Sequence, residues 1–418
     1  MADVKDRLKA SAYYLVVGAA FSAAFSLPLG RALVGLSLLC CVTSLILERR
    51  RPDMPPVGWA AAVFIVIAIV VTINGVNPDL GVPKLDKLFW FVLIPVAYVQ
   101  VKDRTRAVHV LKAYALGTGV LALDVCALRP FEAAALLREE NQYDTFGDAI
   151  IHLGSMTDGQ CLMLGVLAVT SVLIMARRRH EKAGIPPSPS GLWRARGWWF
   201  LLALVVLALL VNYKRGSWFC TFAFVVLLLS LRVHWRIVLV PIVAAAIFLC
   251  IPTVRGRLAS LSDELEQPGG RMTMWTEVAP TLIRQYPLGI GYRSLTNEMM
   301  KEINRRIEPR RDHLHSNIAQ VLVATGWLGF AAYLVWMGWG CADGLRYLRR
   351  SGREEGDNSE ALAWLLMLLA LLANGLVEYN FGDGEIVLAY GLIMGVCARG
   401  AQGSTMHPAE TGVLKEQR

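Results

Sequence analysis

The chain has 418 residues, 55% of them hydrophobic and only 18% charged, with a mean hydropathy of +0.46. One or two water-soluble cores cannot bury that much apolar surface, so the two or three soluble domains that length alone suggests are excluded. The formal net charge of +9 then belongs to the loops of a membrane protein and says nothing about nucleic acid.

Apolar stretches recur from end to end, and a bilayer core of about 30 Å needs roughly 20 apolar residues per helix. The ~10-residue alternation of an outer-membrane barrel is missing. The predicted class is all-α: a polytopic integral membrane protein with about 12 transmembrane helices. The spans fall near 12–29, 31–47, 58–75, 87–101, 107–128, 155–176, 198–212, 217–231, 236–252, 316–340, 360–379 and 384–398. Lys5, Arg7 and Lys9 ahead of an apolar run with Ser22-Ala23-Ala24 resemble a secretory signal, but the many further spans favour an uncleaved first helix. Residues 1–252 thus hold the first nine helices, 253–315 a large outer loop, 316–398 the last three helices and 399–418 a polar tail.

Orientation follows from the basic residues. An N-terminus in the cytoplasm puts Arg49–Arg51, Lys102/Arg104/Arg106, Arg177–Arg179 and Arg346/Arg349/Arg350/Arg353 inside, with Arg232, Arg236, Arg399, Lys415 and Arg418. This is the positive-inside pattern. An even span count returns the C-terminus to the same side. The inner linker at about 177–197 contains the Pro/Ser/Gly stretch 184–191. Outside lie an acidic loop at about 129–154 (Glu132, Glu139, Glu140, Asp144, Asp148) and the long loop 253–312, which carries ten Lys/Arg. Long loops cross regardless of charge, and long loops in compact chains usually have a function.

The eight cysteines lie in or beside apolar segments with no CxxC or Cys/His spacing, so they read as small hydrophobes. The chemistry concentrates at three places. Asp312-His313-Leu314-His315-Ser316-Asn317 stands directly before the tenth span; a neutral imidazole takes a proton from a hydroxyl without a large pKa shift. The same residues equally mark a helix start, with Asp312 or Ser316 as cap. His at i and i+2 share no helix face, and no carboxylate or Cys set accompanies them, which disfavours a metal.

Asn212-Tyr213-Lys214-Arg215-Gly216-Ser217-Trp218 forms the second feature. About 14 apolar residues on either side, ~21 Å each, place this turn at or slightly below the outer interface, with two fixed cations and no acid. Snorkelling side chains on a tight hairpin are the alternative. Third come Gly269-Gly270-Arg271-Met272-Thr273-Met274-Trp275 and Pro287-Leu288-Gly289-Ile290-Gly291-Tyr292-Arg293, where glycines allow close approach of an anion and Arg271 offers a fork to phosphate oxygens. No Walker A or dinucleotide fingerprint is present. A base, several membrane-level cations and no metal suit a lipid-linked diphosphate donor attacked by a hydroxyl, because diphosphate leaves once its charge is neutralised.

In these residues the sequence resembles the O-antigen ligases of Gram-negative bacteria, in the superfamily shared with O-antigen polymerases and protein-targeting O-oligosaccharyltransferases. The ligase pattern of His, then Asn/Ser/Gln, nine residues, Gly, two residues, Gly is met by His315, Ser316, Gly326 and Gly329. Arg215 and Arg271 match the family's basic residues after the seventh span and in the large periplasmic loop. The first six spans resemble the family in topology only. The resemblance implies a GT-C-like architecture and an inverting, metal- and ATP-independent glycosyltransferase that needs no cofactor. It would move O-antigen from undecaprenyl diphosphate to a sugar hydroxyl of the lipid A core, at a periplasmic site of the inner membrane.

It implies His315 as the base and Arg215 and Arg271 as diphosphate ligands. Lys214 and His313 are added on adjacency alone, and the context of Trp275 and Pro287–Gly291 also looks like the family's. Arg293 and the Arg305/Arg306/Arg310/Arg311 cluster would attract either diphosphate or the phosphorylated core and lipid A, the cluster being otherwise a solvated face. A polymerase and a protein-modifying relative stay open, although polymerases usually spread arginines over two comparable outer loops. A lipid-linked sugar flippase needs midplane charges and matched broken helices. Lys112 and Asp124 lie towards the ends of the fifth span, and neither half of the chain repeats the other.

Overall fold

The computed structural model describes residues 2–136, 155–183, 189–212, 214–252, 254–255, 269–307, 312–354 and 357–403. Most of the acidic loop with His152, part of the inner linker, Tyr213, Arg257, Arg310, Arg311 and the tail beyond 403 fall outside the described residues. Among the described residues all regular structure is helical. Seven of the described helices are long and apolar enough to cross a bilayer, and the stretches 196–211, 235–249 and 359–374 are shorter apolar helices.

Helices α1 (Ala2–Ser22) and α2 (Leu27–Glu48) form a hairpin, with α1 also against α5 (Arg104–Leu136). Along α3 (Pro56–Ile73), Trp59, Val63, Val66, Val70 and Ile73 are exposed. They recur every three or four positions, so one apolar stripe faces outward, as a lipid-contacting helix requires.

The fourth predicted span is not one helix. Short turns Pro78–Gly81, Val82–Leu85, Asp86–Phe89 and Trp90–Val92 lead into α4 (Leu93–Gln100). Proline explains this: Pro83 and Pro95 lack the N–H that a continuous helix would use, and the tighter turn Trp90–Val92 falls in the turn before Pro95.

Helix α6 (Ser155–Ala183) is the hub. Its apolar window is 94% buried, and it touches α5, α7 (Pro189–Val211), α8 (Arg215–Arg232), α13 (Ser359–Asn374) and α14 (Gly384–Gln402). The corresponding window of α8 is only 22% buried, which marks it as peripheral. The seventh helix is longer than the sequence suggested, running back to Pro189 over 23 residues, or about 35 Å. Its apolar part, 196–211, stays short, so the shortness that argued for a sunken turn at 212–217 holds on that side and not for α8, which at 18 residues is long and apolar enough to span. Helix α9 (Trp235–Leu249) carries Pro241 and follows α8.

The outer loop has its own core of Met274, Val278, Leu282, Ile290, Leu295, Met300 and Leu314, closed by Val323 of α12 (Asn317–Glu354). It contains the helical stretch 271–285 (α10) and α11 (Asn297–Ile303). Helix α12 is broken at Gly326 (φ 65°, ψ −172°), a backbone region open essentially only to glycine. The outer loop fills the break. Ile290 and Gly291 donate their N–H to the carbonyls of Val323 and Ala324 at 3.1 and 3.0 Å, and Trp327 donates to Pro287 O at 3.2 Å. Carbonyls that a straight helix would satisfy internally are satisfied by the loop instead.

The Gly326 of the sequence pattern thus serves docking of the outer loop. A Cβ there would sit 2.4 Å from backbone atoms of Pro287 and Leu288. Gly326→Ala is expected to cost on the order of 2 kcal/mol or more, read as a lowered thermal midpoint of the detergent-purified protein. An unchanged midpoint would refute this docking.

Candidate functional site

The site lies where the outer loop, the start of α12 and the loop 375–383 meet. That last loop exists because α13 stops at Asn374, with Gly375 donating its N–H to Leu371 O at 2.9 Å. The predicted eleventh span ran on to 379, so the structure moves Val377 to Tyr379 out of the helix. Two devices fix the loop. Phe381 is fully buried among Phe64, Phe91, Tyr333, Trp336 and Tyr390, with ring centroids 5.3–5.9 Å away. Asn317, buried at the first position of α12, is the other. Its Oδ1 accepts the N–H groups of Asn380 and Phe381 at 3.0 and 3.1 Å, and its own N–H donates to Gly375 O at 2.7 Å.

That clamp sets His315 against Glu378. His315 is 2% exposed, and its Nδ1 lies 3.6 Å from Glu378 Oε2, an ion-pair distance beyond direct hydrogen-bond length. The residue sits at φ 48°, a left-handed backbone that costs a non-glycine residue roughly 1–2 kcal/mol. The preceding residue is held on both sides: Trp275 Nε1 donates to Leu314 O at 2.7 Å, and Leu314 N–H donates to Gln320 Oε1 at 2.9 Å. Trp275 lies in a five-residue π-type turn, Met274–Val278, within α10. Pro280 just beyond it lacks the N–H that would reach back to Thr276.

Arg271 completes the set. It donates through Nη1 to Val377 O at 2.7 Å and through Nη2 to Glu378 Oε1 at 2.8 Å. His313 packs its ring 4.2 Å from that of His315 and pairs with Asp312 at 2.7 Å. Asp312 is therefore a partner of His313, and α12 begins after Ser316.

Lys214 and Arg215 open α8 alongside. Lys214 lies against Gly159 of α6, and Gly216 faces Asn374 and Glu378. Arg293 is drawn to the same loop from its other end, 3.4 Å from Asp383 and 5.8 Å from the Tyr379 ring, which in turn lies 6.0 Å from His313. Arg305 and Arg306 are exposed, in a turn held by Asn304.

The electrostatics follow. Burial holds the His315 imidazole below its ordinary pKa, helped by His313 and Arg271 and opposed by Glu378. Burial pushes Glu378 up, but the neighbouring His315 and Arg271 outweigh it, and the carboxyl lies below its usual range. At neutral pH the pair is thus a neutral imidazole facing a carboxylate. Nδ1–H turned to the carboxylate leaves Nε2 as the basic nitrogen. Glu378 escaped the sequence reading because it sat inside an apolar span; the Asn374-Gly375 dipeptide was the signal that the helix ended before it.

Fold and site together define a polytopic membrane protein, helical throughout its described residues, with a buried His315 against half-buried Glu378 and Arg271 at one end of its bundle. Residues 200–334 match the model of the O-antigen ligase family, which bears out the resemblance read from the sequence. Lys214, Arg215, Arg271, Trp275, Arg293, His313 and His315 fall inside that stretch, and Glu378 falls outside it. The match supports a membrane enzyme of the O-antigen ligase or polymerase type. No curated protein matches the chain.

Proposed function

We propose that the protein is an O-antigen ligase that transfers O-antigen polysaccharide from undecaprenyl diphosphate to a sugar hydroxyl of lipid A-core. The observation carrying this reading is the convergence of His315, Glu378 and Arg271 beside Lys214 and Arg215. His315 Nε2 takes the proton of the acceptor hydroxyl while its oxygen bonds to the anomeric carbon. The bond from that carbon to the diphosphate oxygen breaks with inversion, and undecaprenyl diphosphate leaves with the electron pair. Glu378 stabilises the imidazolium that forms. Arg215 and Arg271, with Lys214 and Arg293 nearby, neutralise the departing charge. No step in this scheme calls on a metal or a cofactor.

The twelve-span topology goes with this reading, with both termini cytoplasmic and the site facing the periplasm from the inner membrane. Arg271 is engaged with Glu378 and Val377, so a diphosphate would have to share that guanidinium. Arg215→Ala or Arg271→Ala is expected to raise the KM for the lipid-linked donor about 10- to 100-fold, the worth of a charged hydrogen bond. Unaffected donor kinetics would remove either residue from the site. Reconstitution with lipid-linked glycan plus rough lipopolysaccharide, pilin-like protein or no acceptor tests the whole reading. Transfer only to lipopolysaccharide supports it. Chain growth without acceptor indicates a polymerase, transfer to protein an O-oligosaccharyltransferase, and transport without chemistry a flippase.

A further inference from the structure

Besides His315, Arg293 of the outer loop takes a left-handed backbone, at φ 53°. A non-glycine residue keeps that conformation only where its surroundings hold it. The turn that carries Arg293 is fixed on two sides. Ile290 and Gly291 bond to the break in α12, while Val76 N–H donates to Ile290 O at 3.0 Å and Tyr292 N–H to Thr72 Oγ1 at 2.8 Å, at the C-terminal end of α3. Lys84, brought in by the turns around Pro83, donates to Arg293 O at 3.4 Å.

The Arg293 side chain then crosses to the loop 375–383. A Cβ on Gly382 would lie 2.6 Å from its Nη2 and 2.8 Å from its Nε, so only glycine leaves room for the guanidinium there. Nη2 pairs with Asp383 Oδ1 at 3.4 Å, and Asp383 Oδ2 accepts the hydroxyl of Thr157 on α6 at 3.1 Å. Lys87 Nζ donates to Gly382 O at 3.2 Å. The guanidinium also lies 5.8 Å from the centre of the Tyr379 ring, whose other neighbour is His313 at 6.0 Å. Asn317 grips the loop at Asn380 and Phe381. Arg293 therefore adds a hold at Tyr379, the residue next to Glu378.

We propose that Arg293, beyond the charge it lends to the donor, is a positioning residue that acts through Tyr379 to keep Glu378 against His315. The inference rests on the reading of His315 as the base. A planar fork can pair with Asp383, face the Tyr379 ring and fill the space over Gly382 together; an ammonium supplies the charge without the shape. Among the described groups that face His315, Glu378 favours the imidazolium, and His313 and Arg271 oppose it. Arg293 is not one of them. A carboxylate that drifts away thus lowers the pKa of His315 and moves the acid limb of the pH–rate profile to lower pH.

The test compares R293K, which keeps the charge, with the parent in the full chain purified in detergent. Deuterium exchange at the His315 C2–H, followed by mass spectrometry against pH, reads the imidazole titration without any substrate. R293K should titrate at lower pH, lose about 2- to 30-fold in kcat, the range of coupling carried through packed networks, and keep the donor KM. K84M, which frees Arg293 O alone, should move both readouts less in the same direction and serves if R293K fails to fold. In a Glu378→Gln background R293K should add nothing, because the two substitutions act through one carboxylate. R284Q, an exposed arginine of the same loop, should match the parent. A titration unmoved in R293K and K84M overturns the proposal, as does a shift that persists in Glu378→Gln or appears equally in R284Q. A raised donor KM with kcat and titration unchanged leaves Arg293 a diphosphate ligand only. A parent that transfers glycan to no acceptor sinks the ligase reading alone, and the substrate-free titration still decides whether Arg293 positions Glu378.

Discussion

Replacing His315 with alanine is expected to lower glycan transfer about 10²- to 10⁴-fold, the contribution of a well-placed general base. The expectation rests on burial and orientation together. The imidazole is 2% exposed, lies below its ordinary pKa and directs Nδ1 to a carboxylate. The alanine variant also has to adopt the left-handed backbone of residue 315, which gives lost activity a second possible cause. His315→Asn removes the base while tolerating that backbone, since Asn visits the left-handed region far more readily than other non-glycine residues. Both variants should show that loss of transfer, and the Asn variant should keep the thermal midpoint and donor retention of the parent. Those are the readouts that separate a base from a structural residue. Near-normal product from either variant would overturn the assignment.

What the sequence made legible and what it hid have one physical origin. A membrane helix is a matter of composition, so α2, α3, α6 and α14 could be read from runs of apolar residues alone. Interruptions depend on single residues and are easily swallowed by such runs. The Pro95 break, the glycine break at 326 and the stop at Asn374 all fell inside predicted apolar spans.

The site divides the same way. His315 and Arg271 stand in polar surroundings, where a charged or titratable side chain calls attention to itself. Glu378 follows an apolar run, and only folding brings it beside them. Asn317 and Phe381, which set its position, look like a helix-start residue and one more core aromatic. The long outer loop posed the reverse problem. Its abundance of arginine was plain and the glycine pair set Arg271 apart, but that Arg271 reaches Glu378 while Arg305 and Arg306 stay exposed is visible only in the fold.

Glu378 is accordingly the residue whose substitution tells most about how the base works. Glu378→Gln keeps the shape and removes the negative charge. The base acts in its neutral form, so transfer falls as pH drops through the pKa of His315, already held down by burial. The carboxylate works against that depression by favouring the imidazolium. Without it the pKa falls further, and the acid limb of the pH–rate profile moves to lower pH. The rate on the plateau should nevertheless drop roughly 10²-fold, the lower end of an acid–base contribution, because the imidazolium formed in the transition state loses its counter-charge.

The two effects distinguish the carboxylate's action on His315 from a mere tether for Arg271. A tether lost would disturb the guanidinium and raise the KM for the donor, as Arg271→Ala does, with the acid limb unmoved. Loss of the counter-charge lowers kcat and shifts the limb, while Arg271, released from Glu378, turns more fully to the diphosphate and the donor KM does not rise. Glu378→Asp, shorter by one methylene but still charged, should bring the acid limb back toward its original position even where the rate recovers only in part. A limb that stays in place in Glu378→Gln would remove Glu378 from the proton transfer and leave His315 to act without it.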